Sequence, residues 1–203
     1  MAIIPSDHYV GDNDRFMQYV DSAFDATLRH PETPVVLGAA PSGAELGYGW
    51  IEPGQLISNG AKLPVFQISG FWEKPALHIA RELCRRSCLL NTFVIVGNVS
   101  SLIGAIANAL PSTYAAMNVA QSAIGHALED VMMRAIYSHI GAADFSQSVL
   151  AGHADKFAVM PIADVEWSDL GEPDRVIALR SRPSQLDENM RSPIAYRSLR
   201  VAT

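Results

Sequence analysis

Short apolar strands and amphipathic helices alternate along this chain and predict an α/β protein, a Rossmann-like layered fold with a mixed sheet. Strands are indicated at residues 35–37, 63–72 and 93–96, where β-branched and aromatic residues concentrate. Helical spacing of apolar residues is clearest at 12–30 and 75–86. In such folds ligands bind beyond the carboxyl ends of the strands, so the polar loops there are the first candidates for a site.

The amino-terminal part begins with apolar residues 1–4, which read as the end of a buried strand, and polar residues 5–8 follow as its loop. The first helix has cap candidates at 12–14 and closes at His30-Pro31. Its predicted apolar face is Phe16, Val20, Ala23, Phe24 and Leu28.

The middle of the chain predicts a strand followed by a helix. Apolar and polar residues alternate through 63–72, so this strand delivers Glu73 and Lys74 to its far end. Pro75 presets the backbone for a helix that runs to Arg86. A polar interruption, Asn91-Thr92, then precedes the strand at 93–96.

The carboxyl-terminal part is mainly helical from residue 99 to about 140, with Pro111 as the break, and then returns to strands. A helix is expected near 145–151, and strands at 157–160 and 165–171. Arg, Ser and Pro dominate after residue 180, so we expect one domain at 1–180 and a flexible tail at 181–203.

Composition narrows the functional classes. The 203 residues are 49% hydrophobic and carry a net charge of −6, which suits one globular domain and argues against binding nucleic acid or anionic lipid. Cys84 and Cys88 read as reduced thiols rather than a metal site, because no further ligand lies nearby in sequence. No export or membrane-spanning segment is readable, so the predicted compartment is the cytoplasm.

Two segments indicate chemistry on a sugar phosphate. In Gly47-Tyr48-Gly49, the glycines carry no Cβ and let the backbone approach a ligand closely. In Glu73-Lys74-Pro75, a hydrogen-bond acceptor and a cation stand side by side. An acceptor for hydroxyl groups beside a cation for a phosphate is suited to such a ligand.

Five motifs, in this order, resemble the sugar-phosphate nucleotidyltransferases, and most of all the mannose-1-phosphate guanylyltransferase branch. They are PSDH at 5–8, GYGWIEPG at 47–54, FWEKP at 71–75, Asn91-Thr92 and WSDLG at 167–171. The resemblance runs from residue 1 to about 179. It implies transfer of a nucleotidyl group from a nucleoside triphosphate to a sugar 1-phosphate, giving a nucleotide sugar and pyrophosphate, with Mg²⁺ as the cofactor.

The resemblance also implies roles for single residues. Asp7 and Asp169 match the two metal-binding aspartates, and with Lys74 they would form the catalytic group. Mg²⁺ is usually held by one or two carboxylates together with phosphate oxygens and water. Other interpretations stay open, because Asp7 could cap the following helix and Asp169 could form an Asx turn before Gly171.

The substrate-binding residues implied by the family are Tyr48, Gly49, Glu73, Lys74 and Asn91. Lys74 would bind the sugar phosphate and Glu73 the sugar hydroxyls, while the backbone at Tyr48 and Gly49 would lie against the sugar. Their plainer alternatives are a surface lysine, an acid at a helix start and a simple turn. Leu90 and Phe93 replace the tryptophan and glycine that flank Asn91 in the family, so the identity of the sugar stays open.

The glycine-rich Gly-x-Gly-Thr-Arg-Leu segment that grips the triphosphate in this family does not occur in the 203 residues. We therefore expect an amino-terminally truncated enzyme that is inactive by itself. The alternatives are a non-catalytic sugar-phosphate-binding or regulatory subunit of a complete paralogue, and a decayed gene product. A sheet edge left bare near residues 3 and 4 would recruit a second copy or a partner chain and lower solubility.

Overall fold

The computed structural model describes residues 1–58 and 63–181. The strands are β1 (Ala2–Ile3), β2 (His8–Val10), β3 (Val35–Ala39), β4 (Gly49–Ser58), β5 (Val65–Glu73), β6 (Leu89–Val96), β7 (Ala158–Ile162) and β8 (Trp167–Asp169). The helices are α1 (Asn13–Arg29), α2 (Leu77–Arg85), α3 (Val99–Ala109), α4 (Pro111–Gln121), α5 (Glu129–His139) and α6 (Pro173–Arg180). A π-helical segment (Ser146–Ala151) and a short 3-10 turn (Ala154–Lys156) precede β7.

The main sheet is mixed, as predicted. Its order is β1-β6-β3-β7-β5-β4, with β3 and β7 parallel and the other pairs antiparallel. Because β4 also pairs with β6, the pairings of β6, β3, β7, β5 and β4 form a closed circuit. Strands β2 and β8 form a separate two-stranded sheet.

Helices cover both faces of the main sheet, which gives the layered α/β arrangement. Alternate side chains of β3 point to opposite sides, so Val35 and Leu37 join the core that contains α1 and α2. Val36 instead joins the second core, formed with α3 and the π-helical segment. Burial of all five β3 residues is typical of a central strand between two helical layers.

Helix α1 begins as predicted but presents a different face to the core. Asp12 is its N-cap, with the side chain accepting the Arg15 N–H at 2.9 Å, and His30 is its C-cap. The prediction that Phe24 and Leu28 belong to the apolar face was wrong, since their exposed fractions are 37% and 81%. The helix instead buries Phe16, Tyr19, Val20, Ser22, Ala23, Ala26 and Thr27.

Strand β6 is continuous, so Asn91-Thr92 does not interrupt it as the sequence indicated. Thr92 is fully buried, and its Oγ1 donates to Leu37 O at 2.7 Å and accepts from Val94 N at 3.1 Å. Phe93 has a φ of 59°, in the left-handed region that favours glycine. The polar pair is therefore accommodated by side-chain bonds and a local irregularity within one strand.

The GYGWIEPG segment is also strand rather than turn over most of its length, because β4 begins at Gly49. Glycine and proline are weak strand formers, and the pairing with β5 overrides that propensity. Its register shifts beside Pro53, where the ladder is irregular. The strand predicted at 63–72 and the helix predicted after Pro75 appear as β5 and α2.

The first residues do not form a buried strand. Among the described strands β1 pairs only with β6, and Met1 and Ile4 are 51% and 48% exposed. The amino-terminal NH3⁺ group donates to Gly97 O at 2.7 Å, which holds this short strand in place. The expected bare sheet edge is therefore present in the described part of the chain.

The rest of the chain follows the predicted order with one addition. Helices α3, α4 and α5 fill the segment from 99 to 140, with Pro111 in the first turn of α4. The addition is α6, which also begins with a proline. In the ranges that the structure describes, no helix has the length and apolarity needed to cross a bilayer. The predicted flexible tail lies outside the described residues from 182 onward.

Candidate functional site

The small β2–β8 sheet brings two distant carboxylate residues together. His8 lies opposite Asp169 in the antiparallel register, and Leu170 N donates to Asp7 O at 2.8 Å. Asp7 and Asp169, the two predicted metal ligands, are thus at neighbouring positions although they lie far apart in the sequence. The pairing of β2 with β8 is what brings Asp7 and Asp169 close together.

Asp169 already has two partners. Its Oδ1 forms an ion pair with Nη1 of Arg175 and accepts the Gly171 N–H at 3.2 Å. The bond to Gly171 is the Asx turn that the sequence left open, so turn and site are compatible. The capping alternative for Asp7 was wrong, because Asp12 caps α1.

His8 lies between these carboxylates and an aromatic ring. Its Nδ1 faces the indole Nε1 of Trp167 at 3.2 Å, and the two rings meet edge to face with centroids 5.1 Å apart. Burial lowers the pKa of His8 below its ordinary value, while Asp7 and Asp169 oppose that shift. Burial dominates, which favours the neutral imidazole.

The predicted sugar-binding residues meet at the ends of β4, β5 and β6. Gly49 pairs with Glu73 across the ladder. A Cβ on Gly49 would lie 2.8 Å from Glu73 Oε2 and 3.3 Å from the Cβ of Asn91. Gly49 therefore permits close packing of these residues, whereas the sequence indicated that this glycine would admit a ligand.

Glu73 is the least satisfied polar group of the site. Its Oε2 is buried and has no hydrogen-bond partner within residues 1–58 and 63–181. Burial raises the pKa of the Glu73 carboxyl, Asp144 raises it further, and Lys74 opposes both. An unpartnered buried acceptor is costly for the fold, and such groups concentrate where a ligand is bound.

Lys74 directly follows Glu73 in the chain, and Asn91 approaches the same Gly49 position from β6. Lys74 is exposed and has a φ of 45°, and its N–H donates to Tyr48 O at 3.1 Å. Asn91 is buried, and its Oδ1 accepts the N–H of Phe93 at 2.9 Å. Phe93 stands where the resemblance has glycine, and its left-handed φ accounts for that preference.

Tyr48 connects the region around Asp169 with the predicted sugar-binding residues. Its ring centroid lies 5.5 Å from that of Trp167, and the Cζ of Arg175 lies 4.0 Å above the ring. Burial raises the pKa of the Tyr48 hydroxyl. Beside it, a cavity of about 360 Å³ is bounded by apolar side chains and by a polar set that includes two acidic residues: Ser42, Glu45, Tyr48, Glu166, Trp167, Ser168 and Arg175.

All seven residues predicted for the site thus lie in one connected region. His8 and Arg175 are also part of it, and sequence reasoning missed both. Pro173 is a typical first residue of a helix and could have indicated α6, and with it Arg175 in the helix's first turn. The proximity of these residues is observed, and their individual roles stay predictions.

Metal binding is compatible with the residues present, although the described part of the chain holds no complete set of protein ligands. The described ranges contain no group of three or more His, Cys, Asp or Glu side chains that could hold an ion. Mg²⁺ commonly takes one or two carboxylates and completes its shell with phosphate and water, so Asp7 and Asp169 suit it chemically. Oδ1 of Asp169 would first have to share or exchange its contact with Arg175.

Curated relatives carry the name that the motifs suggested. The chain is 26% identical to mannose-1-phosphate guanylyltransferase RfbM of Salmonella typhimurium over 181 residues, which is 84% of the chain and 34% of the relative. It is 25% identical to mannose-1-phosphate guanylyltransferase of Salmonella muenchen over 173 residues, 84% of the chain and 35% of the relative. The chain spans about a third of the length of these relatives. No protein-family profile matches it.

The fold has a counterpart among solved structures. The crystal structure of mannose-1-phosphate geranyltransferase from Thermus thermophilus superposes with a TM-score of 0.73 at 23% identity, covering 89% of this chain and 49% of that one. At this identity the match establishes the fold alone. The chain is thus similar in sequence to curated mannose-1-phosphate guanylyltransferases, at 25–26% identity, and similar in fold to the Thermus thermophilus structure.

Proposed function

We propose that this chain binds a sugar 1-phosphate, mannose 1-phosphate in the first instance, for transfer of a guanylyl group from GTP. The observation that carries the proposal is the meeting of Gly49, Glu73 and Asn91, which come from three different strands. The names of the relatives would not support the proposal by themselves, because the chain covers only about a third of the length of each relative.

The sugar would lie at the ends of β4, β5 and β6. Oε2 of Glu73 is an acceptor without a protein partner in the described part of the chain, so a sugar hydroxyl would satisfy it. The missing Cβ at Gly49 leaves room for the Glu73 carboxylate, which would face the sugar from this position. The buried Asn91 has an amide group that can donate to the sugar.

The phosphate would be received by Lys74. Its ammonium group makes no ion pair with any described residue, and its backbone is anchored to Tyr48 by the 3.1 Å hydrogen bond. A phosphate oxygen of the bound sugar would attack the α-phosphorus of GTP, forming one P–O bond while the bond to pyrophosphate breaks. The protein's task is therefore to hold two anions in line.

Asp7 and Asp169 would hold Mg²⁺ in this proposal. The ion would neutralise charge on the reacting phosphates. The two residues approach each other through the β2–β8 pairing rather than through a preformed set of ligands. We therefore expect metal binding to be weak until phosphate oxygens are present.

The test is calorimetric titration of the full chain with mannose 1-phosphate in Mg²⁺, set against glucose 1-phosphate. Lys74→Ala should weaken binding of mannose 1-phosphate about tenfold or more, because a charge-assisted contact is lost. Lys156→Ala is the matched control, since Lys156 is an exposed lysine paired with Asp155 outside the site. Absence of binding by the unmodified chain, or equal loss in both variants, would refute the proposal.

A partner is also proposed at the free edge of β1. Edge strands with unpaired backbone groups recruit further strands, and β1 pairs on one side only among the described strands. A second copy or a different chain would cover this edge. Sedimentation should show self-association of the isolated chain, and a sharp monomer would contradict it.

Binding without turnover in the presence of a complete paralogue would instead favour the regulatory-subunit interpretation.

A further inference from the structure

Arg175 has more hydrogen-bond donors than the protein uses. It lies in the first turn of α6, and its side chain is 19% exposed. Nη1 donates to Asp169 Oδ1, and no other side-chain hydrogen bond of Arg175 is made with the residues described. A guanidinium group carries five N–H donors in a planar fork, so most of them are available to a ligand.

The surroundings hold this fork against the site. Its Cζ lies 4.0 Å above the ring of Tyr48, an arrangement that attracts a cation to the aromatic face. A Cβ on Gly47 would clash with Nη2 of Arg175, so a larger residue there would displace the guanidinium. The group also forms part of the wall of the 360 Å³ cavity beside Tyr48 and Trp167.

We infer that Arg175 is a second cation for the phosphate of the sugar 1-phosphate and acts beside Lys74. This inference rests on the proposed function. Tyr48 contacts both residues, because its carbonyl oxygen accepts the backbone N–H of Lys74 and the guanidinium of Arg175 lies over its ring. A phosphate monoester carries close to two negative charges at pH 7, and arginine can bind it through two parallel N–H bonds.

Asp169 can release Arg175 without becoming unpartnered. Its Oδ1 also accepts the N–H of Gly171 at 3.2 Å, and that bond is independent of the arginine. When the guanidinium turns to phosphate, the carboxylate is left with a backbone donor. The same movement removes a competing cation from the carboxylate.

The experiment compares mannose 1-phosphate, mannose and inorganic phosphate as ligands of the full chain, by NMR titration. Arg175→Gln should weaken binding of mannose 1-phosphate about tenfold or more and leave the affinity for mannose unchanged. Arg175→Lys keeps the charge but cannot bind through a fork, so it should recover part of the loss. Arg180→Gln, at an exposed arginine on the same helix, is the control and should match the unmodified chain.

The outcomes separate the inference from the proposed function. If Arg175→Gln weakens mannose and mannose 1-phosphate equally, or neither, Arg175 only braces Asp169 and the inference is wrong. If the unmodified chain binds inorganic phosphate through Arg175 but not mannose 1-phosphate, the anion site stands and the proposed function fails. Binding of none of the three ligands overturns both. Thermal unfolding of each variant verifies the fold, and Arg175→Lys carries the test if Arg175→Gln is unfolded.

Discussion

Replacing Gly49 with alanine tests the packing that brings the sugar-binding residues together. The new methyl group would lie 2.7 Å from Cζ of Phe71, 2.8 Å from Oε2 of Glu73 and 3.3 Å from the Cβ of Asn91. The first two distances are more than half an ångström short of the 3.4 Å at which ordinary contact begins. Phe71 and Glu73 must therefore move.

The expected cost combines two opposing effects. Overpacking of this kind costs about 1–3 kcal/mol. Alanine recovers about 0.5–1 kcal/mol, because glycine loses more backbone entropy on folding. The net loss in the free energy of unfolding should be about 0–2.5 kcal/mol. Displacement of Glu73 should also weaken binding of mannose 1-phosphate.

Urea unfolding measures the stability of the variant, and calorimetric titration measures its binding. The control is Gly104→Ala on α3, where an added Cβ would meet no heavy atom within 4 Å. That substitution should raise stability by about 0.5–1 kcal/mol and leave binding unchanged. A Gly49→Ala protein with full stability and full affinity would refute the reasoning about this packing.

Three further predictions concern the structure around the site. Thr92→Val should lower the free energy of unfolding by about 1–3 kcal/mol in urea titrations, because a buried carbonyl and a buried N–H lose their hydroxyl partner; Thr92→Ser should recover most of it. Asp12→Ala should cost about 0.5–2 kcal/mol by removing the cap of α1, and unchanged thermal stability would contradict that cap. Hydrogen bonding from Arg15 lowers the pKa of Asp164 below its ordinary value, so this carboxylate stabilises the fold above about pH 4 and the contribution is lost as pH falls through the lowered pKa. Stability measured against pH should therefore favour the unmodified chain over Asp164→Asn near neutrality, with the two curves merging in acid.

Periodicity predicted most of the elements because their patterns are local. The alternation through residues 63–72 became β5, and the cap candidates before Phe16 became the start of α1. Periodicity could not show which element packs against each face of a helix or strand. Leu28 has helical spacing but is exposed while Ala26 and Thr27 in the same turn are buried, so it lies on the face of α1 that points away from the core.

The site was accessible to sequence reasoning for a different reason. Glu73 and Lys74 are adjacent, and their chemistry is readable without knowing the fold. The arrangement around Arg175 was not readable, because its contacts with Tyr48 and Asp169 are tertiary. The same holds for the circuit of strands, which depends on β4 reaching β6.

The backbone at Lys74 has one further consequence. A φ of 45° costs an L-residue roughly 1 kcal/mol more than it costs glycine. Backbone geometry alone would therefore favour glycine at position 74. The lysine adds a positive charge directly after β5. Its left-handed backbone directs the side chain differently from that of a residue in ordinary extended conformation.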